Sequence, residues 1–445
     1  MTDTIALRAK EPGPQDPALA PPPDRGASIG RIVGLDAARA VAVFGMYYSH
    51  VGPWSDEFGT WKSFLMDLPH GRSSALFATL AGLSLVLIAG GSEPKTGRPL
   101  RQAVVKIAIR AVLLLALGTW LTSTGTSIVV ILAFYGLYFL LALPFIKLRA
   151  RTLAILAAVC GLGGPILVQL MWTATWTEGF DAHDPLVRWG GDGLLSLLLT
   201  GTYPAMAWMA YIFTGMALGR LDFAHKAVRV RLAVIGPALG LLGYGGSWLV
   251  GKFMPQTATG FDDESYAAFD KAWKEAVGSA DTDSWTDEQW KAFDEEHASL
   301  WDKLPAGDTG GTGSGVDWAA LTGASPHSGT PFELAGNIGV AISVIVGLVA
   351  LLAYCGAVSK WSRRVLAPLI AVGSMSLTVY VAHIAGVWFL VDHPADGVGY
   401  ETGWRMWAVF CVAAMLFALI WKRLLKRGPL EWAMTLATKP AKFVR

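Results

Sequence analysis

The chain has 445 residues, 53% of them apolar and only 16% charged, whereas an average soluble domain is about a quarter charged. That argues against a water-soluble globule, and the net charge of +2 gives no sign of a nucleic-acid partner. The three cysteines, Cys160, Cys355 and Cys411, sit inside apolar runs without spaced partners, which argues against a disulfide framework or a zinc site.

Residues 1–28 are rich in Pro, Asp, Arg and Ala and have no uninterrupted apolar core. They read as a disordered cytoplasmic tail and not as a signal peptide. Apolar runs then follow near 32–51, 73–91, 102–121, 127–146, 152–171, 202–219, 231–251, 334–357, 366–390 and 404–424. A span takes about 20 residues. The sequence therefore predicts an all-α polytopic membrane protein of about ten transmembrane helices. Leu194–Thr200 is too short to span and reads as a re-entrant or interfacial piece. Gly236, Gly240, Gly243, Gly245 and Gly246 fall at helical spacing in the seventh run, where small residues let helices approach closely.

Loop charge supports the count. Lys and Arg recur at every second connection: Arg25 and Arg31; Lys95, Arg98 and Arg101; Lys147, Arg149 and Arg151; Arg220, Lys226, Arg229 and Arg231; Lys360, Arg363 and Arg364; Lys422, Arg423, Lys426 and Arg427. The connections between are acidic or neutral. By the positive-inside rule both termini are cytoplasmic.

The domain plan that follows is a cytoplasmic tail (1–28), a membrane core in two parts (29–252 and 333–427), an extracytoplasmic insertion (253–332) and a cytoplasmic C-tail (428–445). The insertion is acidic and rich in Trp and Phe, including Trp273, Trp285, Trp290, Phe293 and Trp301. Its DSWTDE stretch reads as a helix start with a Ser or Thr cap. A Gly/Thr/Ser linker follows near Gly307–Gly315. The insertion is either a solvated acidic cap or a lid with an aromatic surface for a sugar or lipid headgroup.

Ionisable groups inside spans are costly and mark function by default. The first run, RIVGLDAARAVAVFGMYYSH, carries Asp36 and Arg39 three apart on one helix face, so they can pair. His50 ends the same run, roughly 16 Å further along the axis at 1.5 Å per residue. His70 and Arg72 open the second run. Imidazole exchanges protons near neutral pH and fits a general base. A guanidinium binds phosphate through two parallel hydrogen bonds. On these grounds Asp36, Arg39, His50 and His70 are the candidate catalytic residues, and Arg39, Arg72, Lys106 and Arg110 the candidate anion site. Lys106 reads equally as a snorkelling lysine. Tyr47, His327, Tyr380 and His383 are candidates for the substrate wall. His383 in SMSLTVYVAHIAG also fits a hydrogen bond across helices, and His327 with Thr330, Pro331 and Glu333 also fits an ordinary helix start. No nucleotide-binding Gly motif, metal motif or GxSxG elbow is present.

At these residues the chain resembles membrane acyltransferases. GLDAARAVAVFGMYYSH looks like the first span of acyltransferase family 3, whose activity motif is an Arg and a His with ten residues between, as Arg39 and His50 have. HGRSSALFATLAGLSLVL, IRAVLLLALGTWL, GMALGRLD, HSGTPFELAG, VGSMSLTVYVAHI and GPLEW resemble the YeiB-type bacterial family, which is related to the catalytic domain of heparan-alpha-glucosaminide N-acetyltransferase. The resemblance implies a bacterial inner-membrane enzyme, an O-acetyltransferase by this analogy, that moves an acyl group from cytoplasmic acetyl-CoA (acyl-CoA) to an extracytoplasmic sugar or glycolipid of the cell envelope. Its expected partners are these two substrates and membrane lipids, with a homodimer left open. No metal is expected. By this analogy Arg39 is a donor-site residue and the base is His50 or His70, with Ser73, Ser74 or Tyr47 as oxyanion donors. The rival reading is a transporter or flippase of a lipid or small solute that uses the same charges as a path. A third is a structural or sensory membrane protein that binds partners through its acidic insertion.

Overall fold

Every apolar run of the sequence folds as helix, because in a bilayer the backbone must satisfy its own hydrogen bonds. The computed structural model describes residues 25–53, 66–172, 185–188, 193–253, 271–278, 286–297, 318–358, 364–394 and 402–444, and no strand occurs among them. The helices are α1 Arg25–Val51, α2 Arg72–Ile88, α3 Gly97–Thr122, α4 Leu132–Ala142, α5 Ala150–Trp172 and α6 Ala205–Gly219. They continue as α7 Lys226–Gly251, which includes a π-helical turn at Leu241–Gly245, then α8 Pro331–Val358, α9 Ala367–Ser374, α10 Ser376–Val387, α11 Trp404–Leu425 and α12 Pro429–Ala437.

Among the described residues five helices are long and apolar enough to cross a membrane: α3, α5, α7, α8 and α11. The bent pair α9–α10 makes a sixth. Helices α2, α4 and α6 are apolar but shorter, and α1 carries Asp36 and Arg39 within its apolar stretch. Hydropathy sees apolar length and misses where a helix stops. The ninth run shows this most clearly, because it breaks at Met375 and turns by 85°. Glu431, from the GPLEW stretch, fills the break. Its carboxylate accepts from Leu377 N (2.8 Å), Thr378 N (3.1 Å) and Thr378 Oγ1 (2.5 Å), so an anion caps the start of α10. Leu194–Thr200 is short, as expected, and includes a π-helical turn at Ser196–Thr200.

Helix α1 lies in the centre, packed by α2, α8, α9, α10 and α11. Small residues set these approaches. A Cβ on Gly373 of α9 would run into the backbone carbonyl of Asp36 in α1. In the seventh run, Gly236 and Gly243 face α8 at Ser343 and Gly336, as the glycine spacing predicts, whereas Gly245 faces only its own helix. Arg220, at the end of α6, does more than mark a basic loop. It donates to the carbonyls of Gly91 (2.5 Å), Leu148 (3.2 Å) and Ile146, tying together the chain after α2 and after α4. The C-terminal segment also docks: Gln102 of α3 donates to Lys442 O (2.9 Å) and Val444 O (3.2 Å).

Of the insertion, Asp287–Glu296 is a helix with a capping box between Thr286 and Gln289. Trp273, Trp290 and Phe293 pack against one another with ring centroids 5.6–6.3 Å apart. The predicted Gly307–Gly315 linker, Trp285, Trp301 and residues 1–24 of the tail lie outside the described residues.

Candidate functional site

The two ends of α1 feed two cavities. Towards the basic end, Arg39 Nη1 donates to Asp36 Oδ1 at 2.5 Å, the pair that the i, i+3 spacing predicts, and Nη2 donates to Ser84 Oγ of α2 at 2.8 Å. Arg39 therefore holds a fixed direction on the wall of a cavity of about 370 Å³. Arg110 of α3, Arg427 after α11, and Glu431, Ser84 and Tyr135 share that wall. Arg110 Nε is buried and meets no protein acceptor among the described residues. A buried donor left unmade is costly, so three guanidiniums with one open N–H make a ready anion site. Arg427 is a member that sequence reasoning assigned only to loop charge, because it comes from a basic cluster after the last span. Lys106, four residues from Arg110, is not among the residues that line the cavity. Arg72 is also elsewhere, at the opposite end of α2, with its guanidinium 4.6 Å from the Tyr244 ring centroid.

At the other end of α1, His50 Nδ1 lies 2.9 Å from His383 Nε2 of α10, with the two rings parallel within 2°. Nothing in the sequence pairs these residues, which are 333 positions apart. His50 lines a small cavity of about 20 Å³ together with Ser49, Ser73, Tyr203, His327 and Tyr380. His70 is close but turns towards α1, its ring 5.8 Å from that of Tyr48. Tyr47 does not line this cavity. Its hydroxyl donates to Val379 O at 2.7 Å and its ring lies 4.6 Å from that of His383. It is a buttress, and its hydroxyl is already engaged, so the oxyanion role does not fall to it. The same holds for Ser74, whose hydroxyl donates to Gly71 O at 2.8 Å.

His327 stands at the cavity in a left-handed backbone conformation, φ 64°. The helix start predicted for this stretch is present: Glu333 N donates to Thr330 Oγ1 at 3.1 Å. Glu333 does more than begin α8. Its carboxylate takes hydrogen bonds from His327 N (2.8 Å), Gly329 N (2.6 Å) and Asn337 Nδ2 (3.1 Å). That fastens the loop and aims His327, whose ring lies 5.4 Å from that of Tyr203. The protein crowded around His327 pushes its imidazole below the ordinary histidine value, and His70 adds to this. The outward edge of His327 is exposed, and water there limits the size of the effect. Burial lowers His70 in the same direction.

The two cavities meet back to back. Leu132 lines the arginine cavity and Ile131 the histidine cavity. Phe77 stands between, with its ring 5.6 Å from Tyr135 and 6.3 Å from Tyr380. A third cavity, about 490 Å³, opens beside them. Phe44, Tyr48, Arg72, Trp404 and Trp407 line it, and it shares Pro69 and Ser73 with the histidine cavity. The Tyr48 hydroxyl is buried with no protein partner among the described residues.

Several apolar helices, packed around an axis with guanidiniums towards one end and imidazoles towards the other, define a multi-pass membrane protein. Comparison with known families agrees. The heparan-alpha-glucosaminide N-acetyltransferase catalytic family matches residues 31–246, and the family described as protein of unknown function (DUF418) matches residues 291–440. Neither match covers half of the chain, but the two lie side by side along it and together support the acyltransferase-like superfamily that joins YeiB-type proteins to that catalytic domain. Neither a curated protein nor a solved structure gives a significant match. The site draws on both matched regions: Arg39, His50 and Arg110 from the first, and His327, His383, Arg427 and Glu431 from the second.

Proposed function

We propose that the chain is an acyl-CoA-dependent membrane O-acetyltransferase that acylates a sugar hydroxyl of an envelope glycan or glycolipid on the far side of the bacterial inner membrane. The observation that carries this reading is the back-to-back pair of cavities, guanidinium-lined at the basic end of the bundle and imidazole-lined at the other. Phosphates of the donor pair with Arg39, Arg110 and Arg427. The positive-inside rule, applied to the basic loops, supports a cytoplasmic position for that end. The acyl-bearing arm runs along α2 and α4, past Phe77, towards His50. There His50 takes the proton of the acceptor hydroxyl. The acceptor oxygen bonds to the thioester carbonyl carbon, the carbon–sulfur bond breaks, and the leaving thiolate recovers the proton from His50. Ser73, whose residue borders both the histidine cavity and the side cavity, is placed to donate to the developing oxyanion. His50 is preferred over His70 as the base because it lines the cavity that faces the donor.

The side cavity favours a lipid-anchored acceptor. Its wall is largely aromatic and apolar, suited to a hydrocarbon chain, while Arg72 and the Tyr48 hydroxyl offer polar contacts to a headgroup. The test uses purified protein in lipid nanodiscs with radiolabelled acetyl-CoA and envelope glycolipid, as wild type, His50→Ala and His70→Ala. The expected result is donor binding in all three, transfer lost in His50→Ala and largely kept in His70→Ala. A wild type that binds no acetyl-CoA overturns the reading in favour of a transporter.

A further inference from the structure

Most of the polar groups around His50 explain themselves as walls or loop fastenings, but His383 does not. It is 2% exposed, it lies on α10, and its two ring nitrogens face two different partners. One is the backbone carbonyl of Tyr380, approached by Nδ1. The other is His50 Nδ1, 2.9 Å from Nε2. A carbonyl oxygen only accepts, so His383 Nδ1 carries the hydrogen. A neutral imidazole has one N–H, which leaves His383 Nε2 as an acceptor. His50 must then donate from its own Nδ1. The hydrogen positions of both rings follow from one backbone carbonyl, and the lone pair of His50 is left on Nε2, the nitrogen not committed to α10.

We propose that His383 is a positioning residue, holding the His50 ring in the tautomer and orientation that present a bare Nε2 to the acceptor hydroxyl. This rests on the acyltransferase reading and adds to it the identity of the group that fixes the base. The arrangement is rigid on both sides. The Tyr47 ring lies 4.6 Å from His383 with its hydroxyl fixed to Val379 O, and the Tyr380 ring lies 5.0 Å away. The parallel setting of the two imidazoles within 2° puts the donor N–H in the plane of the acceptor ring, where its lone pair lies. The other titratable groups facing His50 are His327 and His70, from the loops before α8 and α2, Tyr203 before α6, and Tyr380 of α10. Neither His327 nor Tyr380 has a side-chain hydrogen bond to the His50 ring among the described contacts. Without His383 the imidazole of His50 is free to turn over and to carry its hydrogen on either nitrogen, so the fraction of molecules with a correctly placed base falls. Losing such an orienting partner typically lowers activity about 10- to 100-fold.

The chemistry selects two variants. His383→Gln keeps a carbonyl oxygen to accept from His50 Nδ1, whereas His383→Leu fills similar space with no acceptor. Two readouts separate this proposal from its parent. The first is 15N NMR of histidine-labelled protein in lipid, which reports the tautomer without any turnover. The wild type is expected to show His50 with hydrogen on Nδ1 and a bare Nε2, and His383→Leu a mixture. The second is steady-state kinetics. His383→Leu is expected to lose kcat about 10- to 100-fold with KM for acetyl-CoA unchanged, and His383→Gln to recover most of it. Hydrogen on Nε2 of His50 in the wild type overturns the proposal, as does a His383→Leu variant with wild-type kcat beside an inactive His50→Ala. A His50→Ala variant that turns over normally overturns the acyltransferase role of His50 instead, while the NMR result still decides whether His383 sets its tautomer.

Discussion

Removing the carboxylate of Glu431 tests how the broken ninth run is held. In Glu431→Ala two backbone amides at the start of α10, Leu377 N and Thr378 N, lose their acceptor, and so does the Thr378 hydroxyl. Loss of a helix cap costs about 1 kcal/mol. Loss of a negative charge at a partly buried helix start adds up to about 1 kcal/mol, giving a fall of about 2 kcal/mol together. Glu431→Gln keeps one oxygen for the two amides and loses chiefly the charge, so about 1 kcal/mol is expected. The assay is reversible denaturant unfolding in mixed micelles, followed by tryptophan fluorescence. Because Glu431 and Arg427 also line the arginine cavity, acetyl-CoA binding is measured on the same samples. The order wild type, Gln, Ala is the expected outcome for stability. Equal stabilities for the two variants, or no change in Glu431→Ala, refute the argument that this carboxylate caps the break.

Three further outcomes are expected. Arg427→Gln removes one of three guanidiniums from the cavity wall, and a hydrogen bond to a charged group is worth about 1.5–3 kcal/mol; acetyl-CoA affinity measured by calorimetry should fall at least about tenfold, and unchanged affinity would place the donor elsewhere. Gly373→Ala pushes a methyl group into the Asp36 carbonyl, and overpacking of this kind costs about 1–3 kcal/mol; unfolding in micelles reads it, and a neutral result would mean that α9 stands further from α1. The third concerns pH. His327 and His70 are held below the ordinary histidine value in the folded chain, so the unfolded chain binds more protons as pH falls below about 6.5. Stability is fully present above that pH and is lost as pH falls below it. His327→Gln should flatten the decline, and an unfolding midpoint independent of pH from 7 to 5 would contradict it.

The sequence by itself determined where the helices lie. Apolar length and the demand for internal backbone hydrogen bonds act locally, so each of the ten runs is helical. The same local logic led to the Asp36–Arg39 pair at i, i+3, a Ser or Thr cap in the DSWTDE stretch, which falls on Thr286, and the Thr330 helix start. It also brought the resemblance, carried by the order of short motifs along α1, α2, α3, α6, α8, α9–α10 and α12. What it left open was how far each helix continues and what meets what. The bend at Met375 depends on a carboxylate 54 residues later reaching Leu377, which hydropathy does not register. The arginine cavity needed Arg427 on the same wall as Arg39 and Arg110, and no spacing rule connects them. His50 and His383 each look like a lone polar residue in an apolar run. Their chemistry comes from the packing of α1 against α10, because a ring nitrogen acquires the role of donor or acceptor only from the atom placed opposite it.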